Sequence, residues 1–339
     1  LRATVIAQRN RSNSHFFLCE QSGKLFRLIL ATEWIHPKMQ LWQHNFLTRN
    51  KLGSAYLSRA NQWFDPLIDT CAPSSISTDK AFIFGINGTQ GSGKSTLADY
   101  LCELVKAQLG LTAIALSLDD FYLTQQQRRQ LGARVHPLLA TRGVPGTHDV
   151  PLAIRTLDQL SSGHGELQLP RFDKRNDDRF ADAQLTTIVA PVDVIILEGW
   201  CLGARPQSAI ELQSPINRLE RDQDAAGIWR AYVNNALAEH YQELFERVDC
   251  WIMLRAPSFK QVHQWRLEQE LKLADTLNES DKNNASSIMN NQQIAHFILH
   301  YQRITEVLLR DLPASVDHLF QLDEAREIIE YRAQQPNRY

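Results

Sequence analysis

Gly88-Thr89-Gln90-Gly91-Ser92-Gly93-Lys94-Ser95 is the stretch on which the fold turns. It satisfies the pattern G-x-x-x-x-G-K-[ST] in full, and its neighbours supply the context such a loop needs. Upstream, Ala81–Ile86 is a short apolar run of the kind that forms a strand buried on both faces. Downstream, Lys94–Leu109 places Leu97, Leu101, Leu104, Val105 and Leu109 on one helical stripe, with Gly110 as a stop. Glycines let the backbone curl with its N–H groups inward, and the helix N-terminus adds partial positive charge. Gly88 to Thr96 is therefore expected to cradle a nucleotide triphosphate. Lys94 would reach the β- and γ-phosphates, Ser95 would ligate Mg²⁺ through its hydroxyl, and Thr96 would add a phosphate contact.

Outward from this loop, strand and helix signals alternate. Thr112–Leu118, Val192–Leu197, Cys250–Leu254 and Val316–Leu322 read as strands. Leu152–Leu160, Ile228–Val248, the segment after Pro257 and the stripe from Ile294 to Leu308 read as helices, and a last helix closes the chain. Residues 205–226 read as an irregular insertion and Asn278–Asn291 as a mobile, Asn/Ser-rich loop. Repeated βα units predict an α/β fold, with a doubly wound, mostly parallel sheet and helices on both faces. Residues 1–70 read mostly as helix, and Cys71–Lys80 as a turn-rich linker. The expected division is a helical N-terminal extension over 1–78 and a phosphate-binding domain over 79–339.

The 339 residues are 43% hydrophobic and 22% charged, enough for a full core. A net charge of −2 argues against a dominant nucleic-acid role, and no apolar run approaches the ~18 residues of a membrane span. Five scattered cysteines suit reduced thiols in the cytoplasm. The first 51 residues hold eight Lys/Arg against Glu20 and Glu33, leaving the rest of the chain at −8. A basic start can mark a transit peptide; Phe16, Phe17, Leu25, Phe26, Leu28, Ile29 and Leu30 favour an extension with a buried face.

Glu198 ends the strand VDVIILEG, where a carboxylate faces bound phosphates and can hold Mg²⁺. Asp119-Asp120 succeeds the second strand, also at the C-terminal edge of the sheet. One of the two could orient an acceptor hydroxyl and take its proton, while the other caps the next helix. Arg142, His148 and Asp149 lie in a Gly/Pro-rich loop that suits either a polar substrate or a structural turn. Arg171, Lys174 and Arg179 could clamp an anion or simply form a solvated charge run. Arg266 lies on the helix after CWIML, where a lid arginine could meet the γ-phosphate. His296 and His300 fall opposite the apolar stripe and read as a solvated face, not a metal pair.

Six stretches coincide: GINGTQGSGKSTLA (85–98), SLDDFYLT (117–124), HPLLATRGVPGTHDV (136–150), LPRFDKRNDDR (169–179), LEGWCLG (197–203) and WRLEQE (265–270). Together they resemble the D-glycerate 3-kinase family, a group of P-loop kinases that also includes uridine kinase, phosphoribulokinase and bacterial pantothenate kinase. The resemblance spans about 81–306. It implies a P-loop NTPase fold and an ATP- and Mg²⁺-dependent phosphotransferase acting on the alcohol group of a small molecule, D-glycerate being the family's acceptor. It implies Asp119 as the catalytic aspartate, Glu198 as the Mg²⁺-associated acid and Arg266 as the lid arginine. Arg142, His148, Asp149, Arg171 and Arg179 become the candidates around the acceptor. Two stretches depart from the family pattern: the FDK loop lacks its glycines and runs Asn176-Asp177-Asp178-Arg179, and 205–226 is extra. They keep open a uridine- or pantothenate-like acceptor, alongside a nucleotide-binding regulatory ATPase.

Overall fold

The computed structural model describes residues 6–9, 15–21, 24–28, 39–71, 80–181, 184–275 and 290–334. The expected linker lies largely outside these residues, as does most of the Asn/Ser-rich loop. The chain forms two compact units, Leu1–Asn45 and Phe46–Tyr339.

The first unit overturns the helical reading of the N-terminal extension. Strands β1 (Ile6–Arg9), β2 (His15–Gln21) and β3 (Lys24–Leu28) form an antiparallel sheet in the order β1-β2-β3. The apolar runs on either side of Ser22-Gly23 have hairpin spacing, a turn signal that the helical reading overlooked. Among the described residues, helix is first met at α1 (Leu41–Asn50), followed by α2 (Ala55–Trp63) and a 3-10 turn, Asp65–Cys71, in keeping with the helical reading of that stretch.

Residues 46–71 are part of the second unit, where aromatic packing holds them. Phe46 and Tyr56 pack on Tyr100, with ring centroids at 5.3 and 6.1 Å. Phe64 meets Phe320 at 5.3 Å. The Tyr100 hydroxyl donates to Asp65 at 2.6 Å, and Arg49 pairs with Asp99 at 2.8 Å.

At the centre of the second unit is a six-stranded sheet. Its strands are β4 (Phe82–Gly88), β5 (Ala113–Ser117), β10 (Val194–Gly199), β11 (Cys250–Arg255), β12 (His318–Leu322) and β13 (Ile328–Ala333). The order is β13-β12-β11-β4-β10-β5, parallel throughout except for the antiparallel edge strand β13. Every residue of β4 and β10 is buried, so both faces of the central strands are covered, as a parallel sheet requires. Helix α3 (Lys94–Leu109) comes directly after β4, as expected from its stripe. The last described element is strand β13 rather than helix: IIEYRA pairs antiparallel with β12.

Between β5 and β10 run α4 (Gln125–Arg134), α5 (Val150–Ser162) and two small antiparallel ladders. These are β6 (Gly165–Leu169) with β9 (Thr186–Ala190), and β7 (Phe172–Asp173) with β8 (Asp178–Arg179). After β10 come α6 (Arg218–Gln223), α7 (Ile228–Ala236), a π-turn (Leu237–Tyr241), α8 (Gln242–Phe245) and, beyond β11, α9 (Phe259–Asp275). The helix expected over 228–248 is thus broken by one π-turn. The 205–226 segment is not irregular filler. It carries α6, and its fully buried Glu220 binds Arg303 at 2.8 and 2.6 Å on the helix Leu299–Asp311.

Candidate active site

The phosphate loop leaves β4 at Gly88 and enters α3 at Lys94, the join foreseen from the motif. Gly91 and Gly93 have φ of +79° and +92°, the left-handed region open to glycine without strain. A Cβ on Gly91 would also stand 2.7 Å from the Trp265 Cβ, so helix α9 rests directly on the loop. Lys94 stands 3.6 Å from Glu198, whose other oxygen accepts from the Ser95 hydroxyl at 2.9 Å. Thr96 lies half-buried in the first turn of α3. Thr89 Oγ1, Gln90 Oε1, Ser92 Oγ and Glu198 Oε2 are buried with no hydrogen-bond partner. Orphaned buried polar atoms are costly. Here they lie in and beside a glycine-rich loop with a lysine, a hydroxyl and a carboxylate, a set that fits a triphosphate with Mg²⁺.

Sheet order brings the distant acid into place. Strand β10 lies between β4 and β5, with Glu198 level with Ile86 on one side and Ser117 on the other. Beyond Ser117 the chain turns through Leu118–Phe121, so Asp119 and the phosphate loop share the C-terminal edge of the sheet, on either side of Glu198. Lys174 Nζ lies 2.5 Å from Asp119 Oδ2, and the Tyr122 hydroxyl donates to Asp119 Oδ1 at 3.0 Å. Burial pushes the Asp119 carboxyl up, but the charges of Lys174 and Lys94 outweigh it and hold it below the usual carboxylate range. The two lysine charges thus favour the ionised carboxylate. Asp120 turns the other way, accepting from Arg171 at 2.8 Å and from the Phe172 amide at 3.2 Å. Burial raises its carboxyl, with Arg171 opposing.

The candidate cations around the acceptor are drawn together, and each is tied to an aspartate. Arg142 pairs with Asp177, Arg171 with Asp120, and Arg179 with Asp149 at 3.1 Å. Asp149 also caps α5, accepting from the Leu152 amide at 3.0 Å. The loop 142–149 is built into the structure: Trp200 Nε1 donates to the Gly143 carbonyl, and the Leu123 amide to that of Thr147. His148 is buried, stacked on Tyr122 with centroids 4.3 Å apart, and its Nδ1 is 2.7 Å from the Tyr241 hydroxyl.

On α9, Arg266 donates to Gln269 at 3.4 Å and lies 5.9 Å from the centre of the Phe297 ring. Its neighbour Trp265 is the residue seated against Gly91. Arg326, which sequence reasoning passed over, ties the two together. It donates to the Gly91 carbonyl at 2.7 Å, pairs with Glu268 at 2.6 Å and covers the Trp265 ring at 5.0 Å. Tyr122 and Tyr241 were also missed. Tyr122 stands inside the DDFY motif, while no local pattern marks Tyr241 or Arg326.

One reading of the histidine pair is corrected. His296 is exposed, but His300 is buried against Trp229, and burial lowers its pKa to about 4. At His300 the face opposite the stripe is covered by Trp229 of α7. Among the described residues no group of His, Cys, Asp or Glu could hold a metal ion by itself, and no helix is long and apolar enough to cross a membrane.

No family model matches the chain. An uncharacterized kinase of Schizosaccharomyces pombe is 34% identical over 239 residues, 66% of this chain and 79% of the relative. A chloroplastic D-glycerate 3-kinase of Arabidopsis thaliana is 27% identical over 79% of this chain, which spans 59% of that longer protein. The structure of a D-glycerate 3-kinase from Cryptococcus neoformans superimposes with a TM-score of 0.64 at 26% identity, covering 83% of this chain and all of that one. Shorter stretches are similar to bacterial uridine kinases and a pantothenate kinase.

Proposed function

The chain belongs to the D-glycerate 3-kinase family of P-loop kinases, and from that premise we propose that it moves the γ-phosphoryl group of ATP to a hydroxyl of D-glycerate, giving 3-phosphoglycerate. It is a phosphotransferase with an alcohol group as acceptor; the choice of acid is the proposal. The observation that carries it is Asp119, paired with Lys174 and hydrogen-bonded by the Tyr122 hydroxyl, within the field of the phosphate-loop Lys94. A carboxylate so placed receives the hydrogen bond of an acceptor hydroxyl and aligns its oxygen. Its lowered pKa makes it a weak base. This suits a loose transition state, in which the hydroxyl proton leaves late.

Gly88, Thr89, Gln90, Gly91, Ser92, Gly93, Lys94, Ser95 and Thr96 would hold the triphosphate. Ser95 and Glu198 would hold Mg²⁺, which when bound neutralises phosphate charge. Arg266 would lie over the transferring group. Arg142, His148, Asp149, Arg171 and Arg179 surround the acceptor in this reading. Because each arginine already has an aspartate, a glycerate carboxylate would share or displace one of these pairs. The scattered cysteines suit a reducing compartment, for which we keep the cytoplasm; the Arabidopsis relative is named as chloroplastic.

The uridine and pantothenate kinase similarities support a second reading, a different small metabolite as acceptor. Turnover of ATP against D-glycerate, uridine and pantothenate tests both. Turnover that depends on D-glycerate supports the first, and turnover that depends on one of the others supports the second. ATP hydrolysis indifferent to all three points to a regulatory ATPase.

A further inference from the structure

His148 Nε2 is buried and has no hydrogen-bond partner, although the ring around it is fixed on three sides. One face stacks on Tyr122, whose hydroxyl holds Asp119. Nδ1 meets the Tyr241 hydroxyl, and the ring crosses that of Tyr241 edge-on at 5.9 Å. Tyr241 is itself fully buried, and its oxygen accepts from the Gly146 amide at 3.0 Å. If that oxygen also accepted from His148 Nδ1, the phenol proton would be left buried without an acceptor. The proton therefore goes from Tyr241 to Nδ1, and the imidazole carries its own proton on Nε2. Burial lowers the His148 pKa to about 4, with Asp119 acting in the opposite sense, so the ring is neutral.

We propose that Tyr241 is a positioning residue that locks His148 in the Nε2–H tautomer, and that this N–H donates to an oxygen of the acceptor molecule bound beside Asp119. The inference rests on the kinase reading above and narrows its acceptor. A neutral donor pointing away from Tyr241 selects an oxygen that accepts, such as a second hydroxyl or a carboxylate oxygen. The π-turn is the means: one extra residue in the turn Leu237–Tyr241 ends on Tyr241, whose hydroxyl reaches the loop that carries His148.

The test uses the whole protein with ¹⁵N-labelled histidine and D-glycerate as the probe. Nitrogen NMR of the wild type should show His148 with Nδ1 bare and Nε2 protonated, and Tyr241→Phe should mix the tautomers. In kinetics, Tyr241→Phe should raise the KM for D-glycerate roughly tenfold, the scale of one buried hydrogen bond, and leave the KM for ATP unchanged. His148→Gln, whose amide can donate from the same position, should stay within about threefold of wild type, while His148→Phe should lose about tenfold. A wild-type spectrum with Nδ1 protonated overturns the proposal. So does an acceptor KM indifferent to both Tyr241→Phe and His148→Phe. If the wild type does not use D-glycerate at all, the acceptor assignment fails, and the nitrogen spectrum still decides for or against the tautomer.

Discussion

Lys174 and Asp119 are 55 residues apart in sequence, yet Nζ and Oδ2 stand 2.5 Å apart at the edge of the sheet. The lysine comes from the loop between β7 and β8 and the aspartate from the turn after β5. This contact, with Lys94 behind it, favours the charged carboxylate against its partial burial. It also answers the pairing in kind: Asp119 raises the pKa of the Lys174 ammonium.

Replacing Asp119 by Asn keeps the shape and removes the charge. The expected loss in kcat is about 10²- to 10⁴-fold, the range of a positioned proton acceptor. ATP affinity, measured by titration without acceptor, should stay near wild type because the phosphate loop is untouched. A variant that turns over at wild-type rate removes Asp119 from the chemistry.

Lys174→Met takes away the larger of the two charges opposing burial. With Asp119 depressed, the wild type should show no acid limb from this group in kcat/KM above about pH 4, the ordinary carboxylate value. Since burial acts to raise the carboxyl, the variant's folded pKa moves upward. Activity should then fall as pH is lowered through that higher value. A pH profile of the variant that overlays the wild type shows that Lys174 does not set the charge of Asp119.

Arg303→Met leaves Glu220 charged and fully buried without its partner. Removing one member of such a pair costs about 3–5 kcal/mol, to be read from denaturant unfolding. Glu220→Leu combined with Arg303→Met should cost less than Arg303→Met alone, because no charge is stranded. If the single variant unfolds like wild type, the 205–226 segment is not integral to the core.

Arg326→Ala frees the Gly91 carbonyl and Glu268 together and uncovers Trp265. The expected change is a roughly tenfold rise in the KM for ATP, about the value of one charge-assisted hydrogen bond, with the KM for the acceptor little altered. Equal shifts in both constants would place Arg326 outside the loop-to-lid contact.

The legible parts were local. The phosphate loop, its strand and its helix are contiguous, so residue types and spacing specify them without any distant partner. The buried strands β4, β10 and β11 announce themselves as apolar runs for the same reason. The ladder of β6 and β9 was missed because one of its faces is exposed and its alternation weak. Strand β13 was misread because a largely exposed edge strand with Glu330 and Arg332 has the composition of a polar helix. His300 sits where helical geometry alone predicts solvent, and Trp229 of α7, packed against it, buries it.

The sequence by itself determined the phosphate-loop motif and its strand-to-helix setting, because residue types and spacing in consecutive positions specify both. It also determined which acids and cations were available. Only the tertiary structure decided what each does. Sheet order set Glu198 between the phosphate loop and Asp119. Loop packing gave Asp119 to Lys174, Asp120 to Arg171 and Asp149 to Arg179. Charge interactions depend on separation in space and on the solvent excluded around them, and neither is a function of distance along the chain.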